Sequence, residues 1–243
     1  MIEQRNISRL HSWQVDASGA ILIQLKLRKK IQLKRKEGKI EKIAAIDVAY
    51  EKEKAVAGVL VFSYPQLNLI EKVSTVSSVD FPYIPGLLTF REGPCIIDAL
   101  CRVKEKADLL LFDGQGIAHP RRMGIATHLG IYLNISSIGC AKSKLTGDYN
   151  NLADEAGAFA PLYDGNELVG FAVRTKKDTR PVFVSPGNLI DFDQALKIVL
   201  TCCRGHRIPE PLRLAHIFAN SEKQRVRENG KNQKDCFSLF RWT

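Results

Sequence analysis

The sequence predicts an α/β domain in which a central mixed β-sheet is flanked by helices. Three observations carry that expectation. First, three runs rich in Val and Ile follow one another closely, "KIAAIDVAY", "AVAGVLVFSY" and "LNLIEKVSTVSS". This is how strands joined by short turns read. Second, the apolar runs that follow alternate between helical and strand-like spacing, the pattern of helices laid on a sheet. Third, the 243 residues are 45% hydrophobic and contain no internal repeat, which suffices for one sizeable core.

Each element has its own justification. Residues 1–42 read as a basic helical lead-in, because "AILIQLKLRKKIQLKRKEGK" begins apolar and ends basic. From Lys26 to Lys42 there are nine basic residues and two acidic ones. Such a run is either a solvated helix face or a phosphate-contacting surface. The first strand is expected to end near Asp47, and the next two complete an antiparallel meander. "GPCIIDALCRVKEKA" has helical spacing with Pro94 in its first turn, where a missing N–H costs little. Glu92 then precedes that helix. "DLLLFDGQG" is a buried strand ending at Asp113 and a Gly-rich loop. "RRMGIATHLGIYLN" is a helix opened by Arg121 and Arg122; cations oppose the helix dipole there, so the pair suggests an anion. "SSIGCAK", "NELVGFAVRT" and "PVFVSPG" are strands. "DFDQALKIVLTCC" is a helix capped by Asp191 or Asp193, and "PEPLRLAHIFANSEKQRVR" is the last helix. Residues 222–243 form a polar tail, either partly disordered or docked on the body. All of this belongs to a single domain.

Composition bounds the partners. Lys and Arg number 36 against 26 Asp and Glu, a formal charge of +10, which favours a polyanion such as nucleic acid. The six cysteines make no C-x-x-C pair and no zinc spacing, so they read as reduced core thiols. The N-terminal "MIEQRNISRL" is polar, unlike a secretory signal. No run reaches the roughly 18 apolar residues of a membrane span. The expectation is a cytoplasmic, soluble monomer with no membrane partner.

Acidic residues beside apolar runs are the sharpest chemical feature. Asp47 follows "AAI" and Asp113 follows "LLLF". A carboxylate so placed must leave the core, pair with a cation or hold its proton. If the first and fourth strands are neighbours, the two acids lie side by side, and Glu92 reaches the same point. Each acid alone is a turn or capping residue. The three together favour a hard divalent cation, with Mg²⁺ the natural choice because it takes oxygen ligands and bridges to phosphate. Gly114 allows close backbone approach to a ligand, and His119 is placed to orient a water or touch phosphate. Lys142, in "AKSKLTG", lacks the leading glycines of a phosphate-binding loop. His216 reads as structural unless it points at the carboxylates.

"FPYIPGLLTFRE", "DGQGIAHPRRMGIATHLG", "AKSKL", "VSPGNLIDFDQA" and "PEPLRLAH", in this order after "IDVAY", resemble endonuclease V, the deoxyinosine/inosine-specific nuclease family. The resemblance spans roughly residues 40–220. It implies an RNase H-like fold and a Mg²⁺-dependent endonuclease, with Mn²⁺ able to substitute. It also implies cutting on the 3′ side of the modified base to leave 3′-hydroxyl and 5′-phosphate ends. Asp47, Glu92 and Asp113 would hold the metal, His216 would belong to the same site, and Lys142 would lie beside the scissile phosphate. Tyr83, between Pro82 and the Ile84-Pro85 pair, would be the wedge that fills the gap left by a flipped-out base. Gly86, Leu88, Gly114 and Leu145 would lie near the hypoxanthine pocket, and His119 would sit in a DNA-contacting loop. Gln115 is the one departure, where several relatives carry another polar residue. The wedge makes physical sense of two prolines around an aromatic tip. Unstacking a base costs a few kcal/mol, an aromatic side chain can fill the hole, and proline keeps the tip rigid. The partner expected is inosine-containing DNA or RNA. The rival readings are another RNase H-like nuclease, a resolvase or ribonuclease, and a non-cutting binder of inosine-containing nucleic acid.

Overall fold

The protein is described from a computed structural model, in which residues 10–34 and 38–239 are placed. The chain runs α1 (Ala17–Arg28), β1 (Lys42–Glu51), β2 (Lys54–Ser63), β3 (Leu69–Ser78), α2 (Leu88–Arg102) and β4 (Leu109–Phe112). It continues with α3 (Ile125–Leu133), β5 (Ser136–Ala141), β6 (Phe159–Asp164), β7 (Glu167–Val173), β8 (Val182–Asn188), α4 (Phe192–Thr201) and α5 (Glu210–Leu239). The strands form one sheet in the order β3-β2-β1-β4-β5-β8-β7-β6. β4 pairs parallel with both β1 and β5, and every other pairing is antiparallel. The mixed sheet and the antiparallel meander of its first three strands are as expected.

Period-two alternation in the central strands builds two cores, one on each face. On one face Ile43 and Ala45 of β1 join Leu109 and Leu111 of β4, and α4 and α5 cover them through Leu196, Val199, Leu212 and Ala215. On the other, Ala44 and Ile46 join Leu110 and Phe112 beneath Ile96, Ala99 and Leu100 of α2 and Ile125 and Leu129 of α3. Asp16 caps α1 by accepting from the Gly19 N–H at 2.7 Å. Of the two candidates for α4, Asp191 is the cap, accepting from Gln194 N–H at 2.8 Å. Cys95, Cys101, Cys140, Cys202 and Cys203 are free thiols; nothing is described of the Cys236 side chain.

The structure corrects several expectations. β1 does not end at Asp47 but continues to Glu51, because its antiparallel partner β2 keeps pairing through Lys54. Glu92 does not precede α2; the helix begins at Leu88, so Glu92 lies in its second turn and Pro94 lies inside it. Among the described residues of the lead-in, the helix covers Ala17–Arg28, so Lys29, Lys30 and Lys34 of its basic run lie beyond it. α5 runs on to Leu239 and takes in residues 222–239 of the expected tail; residues 240–243 lie outside the described ones. Arg121 and Arg122 precede α3 rather than open it, and Arg122 is spent on ion pairs with Asp164 at 2.7 Å and Glu167 at 2.8 Å. β6 was not expected. Its Pro161 argues against a central strand, but β6 is the sheet's edge, where a missing donor is tolerated.

The N-terminal segment is held by a histidine pair. His11 Nε2 lies 2.8 Å from His128 Nε2, and Trp13 stacks on the His128 ring at 5.6 Å. His128 is fully buried, and its Nδ1 has no hydrogen-bond partner among the described residues. Burial, then the His11 and His119 charges, push its pKa down to about 3. The unfolded chain therefore takes a proton near pH 6.5 that the folded chain refuses until about 3. The neutral ring stabilises the fold at neutral pH, and that contribution is lost as the pH falls from 6.5. Replacing His128 with Gln is expected to flatten the dependence of Tm on pH between 5 and 6.5; a slope equal to that of the unmodified protein would contradict this.

Candidate active site

The parallel pairing of β1 with β4 sets two carboxylates side by side. Ile46 pairs with Phe112, and Asp113 N–H donates to the Ile46 carbonyl at 3.2 Å, so Asp113, just past the end of β4, lies beside Asp47 of β1. Asp47 follows Ile43 and Ala45 onto the face covered by α5. There Leu212, Ala215 and Ala219 form the buried stripe of the helix, and His216 lies beside it. Gly58 pairs with Asp47 across β1 and β2; a Cβ there would stand 3.1–3.2 Å from Phe218 and Ala219. The glycine lets α5 come close at that level. His216 Nδ1 thus lies 2.8 Å from Asp47 Oδ2.

Asp47, Asp113 and His216 each offer a ligand atom within 4.8 Å of the others. Burial raises the Asp47 pKa, the Asp113 charge raises it further, and the hydrogen bond from His216 opposes both. Lys142 Nζ makes an ion pair with Asp113. Glu92 lies outside that triangle and approaches from α2. It is buried, and its Oε1 accepts from the Tyr50 hydroxyl at 2.9 Å. Burial is the main reason its pKa is pushed up to about 8, with Asp47 and Asp113 adding to the rise. A carboxyl that holds its proton beside two others is a site short of positive charge.

A cavity of about 330 Å³ opens next to this cluster. Tyr83, Ile84, Pro85, Gly86 and Leu88 line one side. Gly114, Gln115, His119 and Leu145 line it elsewhere, and Asp113 and Lys142 are also among its walls. Of the residues expected to meet substrate, all but Pro82 border this space. Tyr83 stands 69% exposed at its rim, free to enter a partner. His119 lines the cavity and is also tied into the fold. It is buried, Nε2 lies 3.0 Å from the Gly86 carbonyl, and Nδ1 accepts from the Arg121 N–H at 3.1 Å. Burial pushes its pKa down to about 4, so the ring is neutral at pH 7. Arg121 donates to the same carbonyl at 2.9 Å, which makes it part of the fold rather than an anion site.

Three residues, Tyr50, Arg91 and Gln24, escaped the sequence reading, and Gln115 was read there only as a departure from relatives. Tyr50 holds Glu92, and Arg91 donates to the Phe81 carbonyl at 2.7 Å while its guanidinium stacks 4.8 Å above the Tyr50 ring. Gln115 donates to the Ser143 carbonyl at 2.9 Å. Gln24 is fully buried. Its position between Ala20 and Leu27, on the inward stripe of α1, was the available signal.

The family described as Endonuclease V matches residues 25–217. The chain belongs to the endonuclease V family. Members of the family are metal-dependent, deoxyinosine-specific nucleases. The chain is 49% identical over 210 residues to Endonuclease V of Methanothrix thermoacetophila, covering 86% of this chain and 93% of that one. The Bacillus subtilis Endonuclease_V crystal structure superposes with a TM-score of 0.86 at 30% identity, covering 91% of this chain and 98% of that one. That of Ciona intestinalis Endonuclease V, in complex with a 24mer DNA containing an inosine followed by a ribo-adenosine, gives a TM-score of 0.75 at 28% identity, covering 86% and 98%. The fold is therefore the RNase H-like α/β fold. Among the described residues, no helix is long and apolar enough to cross a membrane.

Proposed function

We propose that this endonuclease takes hypoxanthine, extruded from a DNA or RNA strand, into the cavity beside Tyr83 and hydrolyses a phosphodiester on the 3′ side. The supporting observation is the continuity of the cavity with the acid cluster. Leu88 and Leu145 offer apolar walls for a base, while Asp113 and Lys142, which pair with each other, border the same space. A base and its neighbouring phosphate can therefore be held at once.

The donor set suits a divalent metal, since two carboxylates and an imidazole converge where one carboxyl is already pushed toward its neutral form. Mg²⁺ fits the oxygen ligands, with Mn²⁺ tolerating the nitrogen. Asp47 and Asp113 would hold it, with Glu92 completing the set. When bound, such an ion supplies Lewis-acid polarisation of phosphate and an activated water. His216, oriented by Asp47, relays the proton of the attacking water. The Lys142 ammonium meets the negative charge that develops on phosphate. Tyr83 fills the stack where the base has left. One chain contributes every one of these residues, which fits a monomer.

The test is an incubation of the purified protein with matched oligonucleotides carrying one deoxyinosine in DNA, one inosine in RNA, or neither, with Mg²⁺ or EDTA. A Mg²⁺-dependent nick 3′ to the modified base, leaving a 5′-phosphate, is the expected result. Binding without product under Mg²⁺, or faster cutting of an unmodified junction or hybrid, would overturn it. The ratio of DNA to RNA rates identifies the preferred strand.

A further inference from the structure

The tip that carries Tyr83 is a Pro-Gly turn. Leu87 N–H donates to the Ile84 carbonyl at 2.9 Å, and Gly86, after Pro85, has φ +81°. This is the geometry in which proline then glycine occupy the two central positions. The Gly86–Leu87 peptide has its N–H engaged within the turn, while its carbonyl points down into the body. There it receives three donors: Gln24 Nε2 at 2.9 Å, Arg121 Nη2 at 2.9 Å and His119 Nε2 at 3.0 Å. Two donors already saturate the lone pairs of a carbonyl oxygen, so a third marks an unusually fixed group.

Gln24 ties this arrangement together. Its Oε1 accepts from Arg121 Nε, and its Nε2 also donates to the Met123 carbonyl at 3.1 Å. It thereby links α1, the turn and the loop before α3. Beneath the turn, Phe81, Leu87 and Phe90 pack on Ala20 of the same helix. Arg91 fastens the other stem at the Phe81 carbonyl. Both stems are thus held, while Tyr83 between them stays exposed.

We propose that Gln24 is a positioning residue for lesion recognition: with His119 and Arg121 it pins the Gly86 carbonyl and so fixes where Tyr83 stands over the cavity. This rests on the reading of Tyr83 as the wedge. A tip already ordered before contact loses little entropy on entering the stack. A loosened tip must be ordered by each substrate, which weakens binding to the inosine strand. Binding to an unmodified strand, held through phosphate contacts, does not depend on it.

The experiment compares Gln24→Glu, Gln24→Leu and Tyr83→Ala with the unmodified protein. Gln24→Glu keeps the shape and the acceptor for Arg121, but sets an oxygen against the Gly86 and Met123 carbonyls. Affinities for deoxyinosine-containing and unmodified oligonucleotides are measured with Ca²⁺ in place of Mg²⁺, alongside single-turnover cutting and Tm. The expected result is a loss of about tenfold in lesion affinity for Gln24→Glu, the equivalent of one well-placed charged-group hydrogen bond. Unmodified-strand affinity and the cutting rate at saturating enzyme should stay unchanged, and Gln24→Leu should fall between. If both Gln24 variants keep full lesion preference while Tyr83→Ala loses it, the inference is overturned, whatever happens to Tm. If Tyr83→Ala also keeps it, the wedge reading itself fails.

Discussion

Asp113→Asn is expected to cut an inosine-containing strand slower by on the order of a thousandfold while still binding it. Asp47→Asn should behave alike. The two carboxylates sit side by side, Asp47 on β1 and Asp113 just after β4, with ligand atoms within 4.8 Å of each other and of His216. Removing one charge leaves the shape intact but weakens the hold on a cation. The cavity that would receive the base is bordered by Asp113 but not by Asp47, so Asp47→Asn gives the cleaner separation of binding from cutting. Single-turnover cutting with Mg²⁺, and strand binding with Ca²⁺, measure the two quantities. Cutting by either variant at near the unmodified rate would refute the metal site. A second readout is thermal. Without metal, the folded chain keeps a proton on Glu92 up to about pH 8, whereas the unfolded chain loses it near 4.5. Its folded pKa is raised, so stability falls as the pH rises from 4.5 through 8. A cation held by the acids offsets that loss. Mg²⁺ should therefore raise Tm more at pH 8 than at pH 5.5, and the Asp113→Asn protein should lose most of the increase.

Tyr83→Ala should weaken binding to a deoxyinosine strand by roughly ten- to a hundredfold, as expected for losing one stacked aromatic group. The side chain is 69% exposed and belongs to none of the buried clusters. Removing it should therefore leave Tm nearly unchanged. The rate at saturating enzyme should fall less than the affinity, because Tyr83 is not among the acid cluster. A titration giving equal affinity for Tyr83→Ala and the unmodified protein would exclude the wedge role. Tyr83→Phe separates the ring from the hydroxyl, and should retain most of the binding if the role is to fill space.

The legible parts of the sequence were those governed by neighbours along the chain. Asp113 was readable because β4 is buried on both faces, so four apolar residues run directly into the acid. The meander was readable because its turns are short. Asp47 was assigned to the right strand but to its end, since nothing local reveals that β2 keeps pairing as far as Lys54. Contacts between distant segments were not readable. Arg122 looked available to an anion because Asp164 and Glu167 lie more than forty residues away, on a hairpin whose first strand was hidden by Pro161. His119 borders the cavity as the resemblance implied, but its bond to the Gly86 carbonyl, 33 residues upstream, left no trace in the local sequence.

The union of β1 with α5 has a consequence for how the enzyme is made. His216 lies 169 positions after Asp47, and the helix that carries it is the last of the described elements. During synthesis, the strands bearing both aspartates emerge long before the imidazole that completes the cluster. Until α5 docks, Gly58 and its neighbours on β2 lie uncovered and the third corner is missing. A fragment clipped ahead of Glu210 keeps both aspartates but lacks the imidazole beside them. On the reading proposed above, competence to cut arrives only once α5 has been made and has docked.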